Sequence, residues 1–488
     1  MPTTLTQKNR AASISTPLGA DVLVLKSVAG TEEIGRLFHY DLELLSEDDN
    51  IDFDKIIGQN VTISFVVADG EKRYLNGFIS RFVQIGPEGD YARYQATMVP
   101  WLWFLTRTAD CRVFQTKPVP DVLEEVFKGH GFDAYERRLS GHYTPWDHCT
   151  QYRETDFNFV SRLMEHEGLY YYFKHEDGKH TLVLADSPAA HDDYPGYEKI
   201  AFRPPSKADA AAEYIRDWII DKELLTGAYA HTEYNFQTPK TDLKTSAQIS
   251  RSYAQSNLEV FDYPGEYEEY DHGEEYAKIR IQEIQVRYET LHGQTDARGI
   301  CAGCTFTLTD YDRDDQNRKY LVVSANHSIH EDLFESGGGA GGPFYQCSFT
   351  AIDATVQFRS PRVTPRSVIQ GVQTAIVTGP AGEDDIYVDK YGRVKIQFYW
   401  DRYGKHDENS SCWVRVSQAW TGKNWGHIAN PHIAEEVIVA FLEGDPDRPI
   451  IVGRVYNEDH MPPYPLPAGK SIIGAKTSTV KTPPKPKH

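Results

Sequence analysis

Arg393-Val394-Lys395-Ile396-Gln397-Phe398-Tyr399-Trp400 alternates apolar with polar or amphipathic side chains without a break. That is the pattern of a strand with one face in a core and the other in water. A slip of one residue would turn every apolar group to solvent, so the register is well specified. Four further short runs, at 384–389, 412–417, 435–442 and 449–454, follow the same style and are separated by turn residues. Five short strands between about 378 and 456 suit a small OB-like barrel. One run departs from the pattern, because Val437, Ile438, Val439, Ala440, Phe441 and Leu442 are apolar on both faces. Its outer face must be covered, either by another subunit or by another part of the same chain.

Upstream, residues 20–115 read as short strands, among them Asp21 to Leu25 and Val61 to Val67. Three helices interrupt the β pattern. Val122, Leu123, Val126 and Phe127 have helical spacing near 119–130, and Phe157, Phe159, Val160, Leu163 and Met164 form a stripe within 154–167. The third lies near 273–290. Between two apolar runs, Glu176-Asp177-Gly178 predicts a tight hairpin, since Asp-Gly accepts the positive φ of such a turn. Gly337 to Gly342 has almost no side chain to bury and reads as a mobile hairpin tip, while FRSPRVTPRS at 358–367 reads as an extended linker. From His460 onward there is no acidic residue, and Lys470, Lys476, Lys481, Lys485 and Lys487 recur among prolines, which predicts an extended tail.

The 488 residues allow two to four domains. With 71 acidic and 51 basic residues the formal charge is −20, which argues against nucleic acid or an anionic membrane surface as partner. No run approaches a membrane span, and the first fifteen residues lack the apolar core of a signal peptide, so cytoplasmic assembly is expected. Six cysteines are too few for a disulfide scaffold, and reduced, mostly packed thiols are expected.

Candidate chemistry resolves into plain alternatives. Cys301-Ala302-Gly303-Cys304 has redox or zinc-knuckle spacing, but no second close pair completes a four-ligand zinc site. His327 and His330 lie three apart on a predicted strand and point to opposite faces. Asp310, Asp312, Asp314 and Asp315 open like a calcium loop, yet the sixth position is Asp315 and the twelfth Leu321, where glycine and glutamate are needed. Glu165-His166-Glu167 lacks metalloprotease spacing and reads as a solvated helix end. No nucleophile elbow, phosphate loop or dinucleotide fingerprint occurs. No catalytic, cofactor-binding or metal-binding residue is therefore nominated, and the chain is not expected to be an enzyme. Trp420 and Trp425 fall in a turn-rich loop and serve either as rim packing for the barrel or as an exposed docking point.

Several longer runs carry a family signature. They are Gly35 to Phe38, Gln95 to Thr97 with Pro100-Trp101, Leu105 to Thr108, Gln151 to Phe157 (QYRETDF), Phe159 to Gly168 (FVSRLMEHEG) and Phe261 to Tyr267 (FDYPGEY). The barrel adds Asp389 to Lys395, Asn409 to Trp420 and Phe441 to Pro449. From about 15 to 468 the chain resembles VgrG, the spike protein of type VI secretion systems, which is similar to contractile-phage hub proteins.

The resemblance implies a mainly β protein with a few helices, in which phage-hub-like β-barrels precede an OB-fold barrel and three chains form a homotrimer. On that reading 1–14 is an N-terminal segment and 15–357 the hub-like region of two β-barrel subdomains. Residues 358–377 are a linker, 378–456 the OB-fold, and 457–488 a Lys/Pro-rich tail where family members begin a β-helix needle. It also implies seating on the Hcp tube, contact with baseplate components, carriage of effector or adaptor proteins, and secretion by the type VI apparatus. A PAAR tip protein is implied only where a needle is supplied elsewhere. A competing reading, a peptidoglycan-hydrolysing spike enzyme, would need a further domain between hub and barrel, where only about fifteen linker residues lie.

Overall fold

The computed structural model describes residues 5–68, 70–204, 206, 212–331, 344–382 and 385–477; the glycine-rich stretch at 337–342 and the end of the Lys/Pro tail lie outside the described residues. The chain divides into two compact units. The first takes in 1–104, 127–142 and 161–363, and the second 105–126, 143–160 and 364–488.

The first unit is built on a twelve-stranded sheet. In spatial order it runs Ala12–Ser15, Asn60–Val66, Lys72–Glu88, Tyr91–Val99, His39–Ser46, Val24–Glu33, Lys319–His330, Tyr345–Asp353, Glu289–Thr295 and Ile215–Lys222. Thr305–Thr309 and Lys199–Ala201 are attached beside Lys319–His330. Early and late parts of the chain thus meet along one antiparallel seam, with Glu33 opposite Ser324 and Ser27 opposite His330. The predicted Asp-Gly hairpin joins Tyr170–Glu176 to Lys179–Ala185, and Gly178 has φ +74°. Tyr170, Tyr172 and Val183 from this hairpin pack with Leu321, Ile352 and Phe358 in one apolar cluster.

The helices follow their apolar stripes. Asp156–Glu167 buries Phe159, Val160, Leu163 and Met164, then stops at Gly168, where φ is +71° and Leu169 N–H returns to Met164 O at 2.8 Å. This is the 6→1 bond of a left-handed helix end. The third helix occupies Tyr270–Gln285, earlier than its apolar pattern predicts. Its expected last residues fall into Glu289–Thr295, which pairs with a strand on each side, so tertiary pairing overrides local helical preference there.

In the second unit the sheet order is Lys395–Phe398, Gln373–Thr378, Glu436–Phe441, Pro449–Val455 and Arg415–Val416. An isolated bridge between Val394 and Val414, with both N–H groups bonded at 3.0 and 2.8 Å, closes these five strands into a barrel. Its core holds Ala375, Val377, Val394, Ile396, Val414, Val437, Val439 and Ile451, all essentially without solvent contact.

Two features differ from the sequence reading. The first barrel strand is Gln373–Thr378, all but its last residue inside the linker expected at 358–377; of the run expected at 384–389, the described residues 385–389 are not a strand. Asp389 ends that run by accepting the N–H groups of Tyr391 and Arg393 at 2.9 Å, which turns the chain before it can pair. The barrel unit also incorporates Ala109–Phe114 and Cys149–Thr155, an antiparallel pair from segments read as hub. Tyr152 of that pair meets Trp400 edge-on at 5.4 Å and accepts Gln373 Nε2 at 2.8 Å.

Candidate functional site

Each residue group singled out for chemistry has a structural partner. Glu165, His166 and Glu167 do not form a solvated helix end. Glu165 and Glu167 are buried, Arg36 lies 3.4 Å from Glu165, and Tyr276 donates to Glu167 at 3.0 Å. The buried Arg280 guanidinium donates to the Glu165 and His166 carbonyls at 2.8 Å, where a helix C-terminus favours a cation. The triplet is thus a capped, buried terminus. Asp310 to Asp315 is a turn in which Arg313 pairs with Asp315 at 2.9 Å. His327 is buried and His330 exposed, on opposite faces of one strand. Among the described residues no cluster of three or more His, Cys, Asp or Glu has metal-holding geometry.

The thiols correct one expectation. Cys301 and Cys304 are joined in a disulfide, their Cα atoms 5.6 Å apart across the turn, whereas Cys149 and Cys347 are buried and in no disulfide. The three-residue spacing allowed this pairing; the expectation of reduced thiols came from cysteine number alone.

A buried ionic cluster sits beside that turn in the first unit. Glu32 lies 3.6 Å from Arg73 and 3.4 Å from His327, accepts Tyr40 O–H, and accepts the amide N–H of Ala302 at 3.2 Å. Arg73 donates to the Ile300 carbonyl at 2.7 Å. Burial resists the charge on Glu32, yet His327 and Arg73 hold its carboxyl well below the usual range. Burial likewise resists protonation of His327, but Cys347 and Glu32 outweigh it and raise the imidazole to about 9.

The surface offers apolar groups of a different kind. In the barrel unit, Thr421–Gly422 and Trp425–Gly426 form a small hairpin. Lys423 and Asn424, the latter at φ +61°, make the reversal, Gly426 lies at φ +137° in the returning strand, and His427 N–H closes onto Trp420 O at 2.9 Å. Trp420 and Trp425 meet edge to face at 5.1 Å with 63% and 58% of their surfaces exposed, and Ile428 beside them is 73% exposed. The rings pack on each other and not on the barrel core. The doubly apolar strand Glu436–Phe441 turns Val437 and Val439 inward; Ile438, opposite Thr374 and Gly453, is only partly covered on the outer face. Val452, Val455 and Tyr456 continue exposed apolar surface after it. In the first unit, Glu259–Asp262 is an edge strand exposed along its length, carrying Val260 and Phe261. Rows of exposed aromatics and aliphatics of this sort suit protein contacts. No helix among the described residues is long and apolar enough to cross a membrane.

Comparison with known proteins agrees with this architecture. Residues 31–333 match the family model for the phage tail baseplate hub (GPD), and 381–456 match the type VI secretion system/phage-baseplate injector OB domain. The spike protein VgrG1a of Pseudomonas aeruginosa is 45% identical over 97% of this chain and 74% of its own length. VgrG1b of the same organism is 45% identical over 98% of this chain, which spans 64% of that relative. The solved structure of the E. coli c3393 protein, a component of the type VI secretion system, superimposes with a TM-score of 0.63 at 20% identity, covering 91% of this chain and 99% of that one. That likeness shows the fold.

Proposed function

The chain belongs to the VgrG family of type VI secretion spike proteins, and from that premise we propose that it is the hub and spike subunit of a contractile injection machine, acting as a homotrimer. The observation that carries the proposal is the 45% identity to a named spike protein over 97% of the chain. The exposed apolar surfaces support it. A net charge of −20 makes like chains repel at long range, so three copies need apolar contact to hold together. The partly covered outer face around Ile438 and Val455 is the self-association surface in this reading.

As a trimer the hub would seat on the Hcp tube and meet baseplate components, and the machine would export it with effector or adaptor cargo. The Trp420 and Trp425 hairpin is the cargo-docking point, because paired exposed aromatics supply contact area at little entropic cost. No reaction is assigned to the chain.

Light scattering on the purified chain tests the core of the proposal. A mass three times that of one chain at micromolar concentration is the expected result, and a strict monomer counts against it. A mass increase on adding Hcp rings tests the seating.

A further inference from the structure

The turn beside the ionic cluster carries a pair of sulfurs that the proposed function does not use. Two observations set Cys301 and Cys304 apart from an incidental pair. They are bonded across a turn of two intervening residues, and Cys304 N–H also reaches Cys301 O at 3.2 Å. The turn is gripped from beneath: Glu32 accepts Ala302 N–H, while Arg73 donates to the carbonyl of Ile300, immediately before Cys301. Gly303 N–H bonds Val322 O at 2.9 Å, and its carbonyl takes a ring nitrogen of His191 at 2.9 Å. Each of the three peptide units between the sulfurs therefore has at least one hydrogen bond to a group outside the turn, so the path of the turn is held by more than the S–S bond.

We propose that Cys301 and Cys304 form a reversible dithiol–disulfide couple, held ready by the buried Glu32 and Arg73, with Cys304 as the sulfur that exchanges with solution. Cys304 is the more exposed of the two; Cys301 is buried. A low-molecular-weight disulfide such as oxidised glutathione is the oxidant. The Cys304 thiol loses its proton to solvent, its thiolate attacks one sulfur of that disulfide, and one thiolate leaves and takes up a proton. The Cys301 thiolate, likewise deprotonated, then attacks the Cys304 sulfur and expels the second glutathione thiolate. Two protein thiols are oxidised by two electrons and one disulfide is reduced to two thiols. Its meaning rests on the proposed function: a hub assembled in a reducing cytoplasm and driven into an oxidising space would close this link on the way. The chemistry itself is independent of that reading.

The full chain, equilibrated in glutathione buffers from fully reduced to fully oxidised and quenched with N-ethylmaleimide, tests it by peptide mapping. Labels on 301 and 304 are expected to disappear together in one transition, and the amides of Ala302 and Gly303 to exchange more slowly in the oxidised form. Cys301→Ser is expected to retain glutathione on Cys304, and Cys304→Ser to take up none at Cys301. Labelling of both positions in the most oxidised buffer overturns the proposal. So does a mixed disulfide that persists in the unsubstituted chain, or loss of glutathione uptake in Cys301→Ser. Trimer mass and Hcp binding are read separately, so failure of the couple leaves the spike assignment standing.

Discussion

Arg366 and Asp447 meet at 2.7 Å with the carboxylate nearly buried, and the second oxygen of the same carboxylate accepts the amide N–H of Thr150. One side chain thus ties the start of the barrel segment, its last loop and the upstream pair Ala109–Phe114 and Cys149–Thr155 into a single unit.

Asp447→Ala should therefore cost about 2–4 kcal/mol, because it removes the acceptor of the buried Thr150 amide N–H and one of the two carboxylates, Asp445 being the other, that pair with Arg366. Asp447→Asn keeps an acceptor for Thr150 and should cost less. Urea midpoints followed by tryptophan emission give the comparison. Equal losses in the two variants would show that the Thr150 bond contributes nothing.

This seam also marks where reading the sequence stopped short. Val394 to Phe398 declares its faces by alternation and Asp177-Gly178 its turn, since each depends on a few adjacent residues, whereas Val437 to Phe441, apolar on both faces, shows only that it is covered and not which side faces the core. Gln373–Thr378 was hidden behind the prolines and arginines of 358–367, whose composition predicts a linker. The membership of Cys149–Thr155 in the barrel unit depends on Asp447, nearly three hundred residues on, and no local pattern reports such a partner. Glu165 to Glu167 looked solvated because the arginine that satisfies the helix end comes from Tyr270–Gln285. Trp420 and Trp425 stand out as a loop pair, but only the fold separates rings packed on a rim from rings packed on each other.

Neither ring of that pair belongs to the core, so the double change Trp420→Ala and Trp425→Ala should move stability by no more than about 0.5 kcal/mol. Trimer mass should also stay unchanged. In bacteria carrying the variant, Hcp should still appear in the medium while delivery of cargo to target cells falls. Loss of Hcp export along with cargo would place the hairpin in assembly and remove it from docking.

Gly303 has φ +85°, and a Cβ there would lie 2.4 Å from the ring of Tyr172. Gly303→Ala combines a left-handed backbone with overpacking against a buried aromatic, and should cost about 2 kcal/mol or more. Gly178→Ala shares the positive φ but meets nothing within 4 Å, so its cost should be about 1 kcal/mol. Thermal unfolding of the two variants separates conformational strain from crowding. Equal shifts would mean that the ring of Tyr172 yields freely.

The ionic cluster gives the first unit an alkaline limit. His327 faces Glu32, Tyr345 and Cys347, with Arg73 on the far side of Glu32. Its imidazole, raised from the ordinary 6.5 to about 9, contributes stability that is complete below pH 6.5 and lost as pH climbs through 9. The shift corresponds to about 3 kcal/mol at most. Glu32, held low, acts in the opposite sense: its contribution is present above the ordinary carboxylate range and lost in acid. His175, which burial lowers to about 4, also weakens the fold as pH falls from 6.5 toward 4. Between pH 7 and 9.5 only His327 of these three changes charge. His327→Gln should consequently lower the urea midpoint at pH 7 and flatten its decline toward pH 9.5, while leaving the acid limb in place. If the variant and the unsubstituted chain lose stability in parallel over that interval, the imidazole is not charged in the fold and Glu32 is balanced by Arg73 alone.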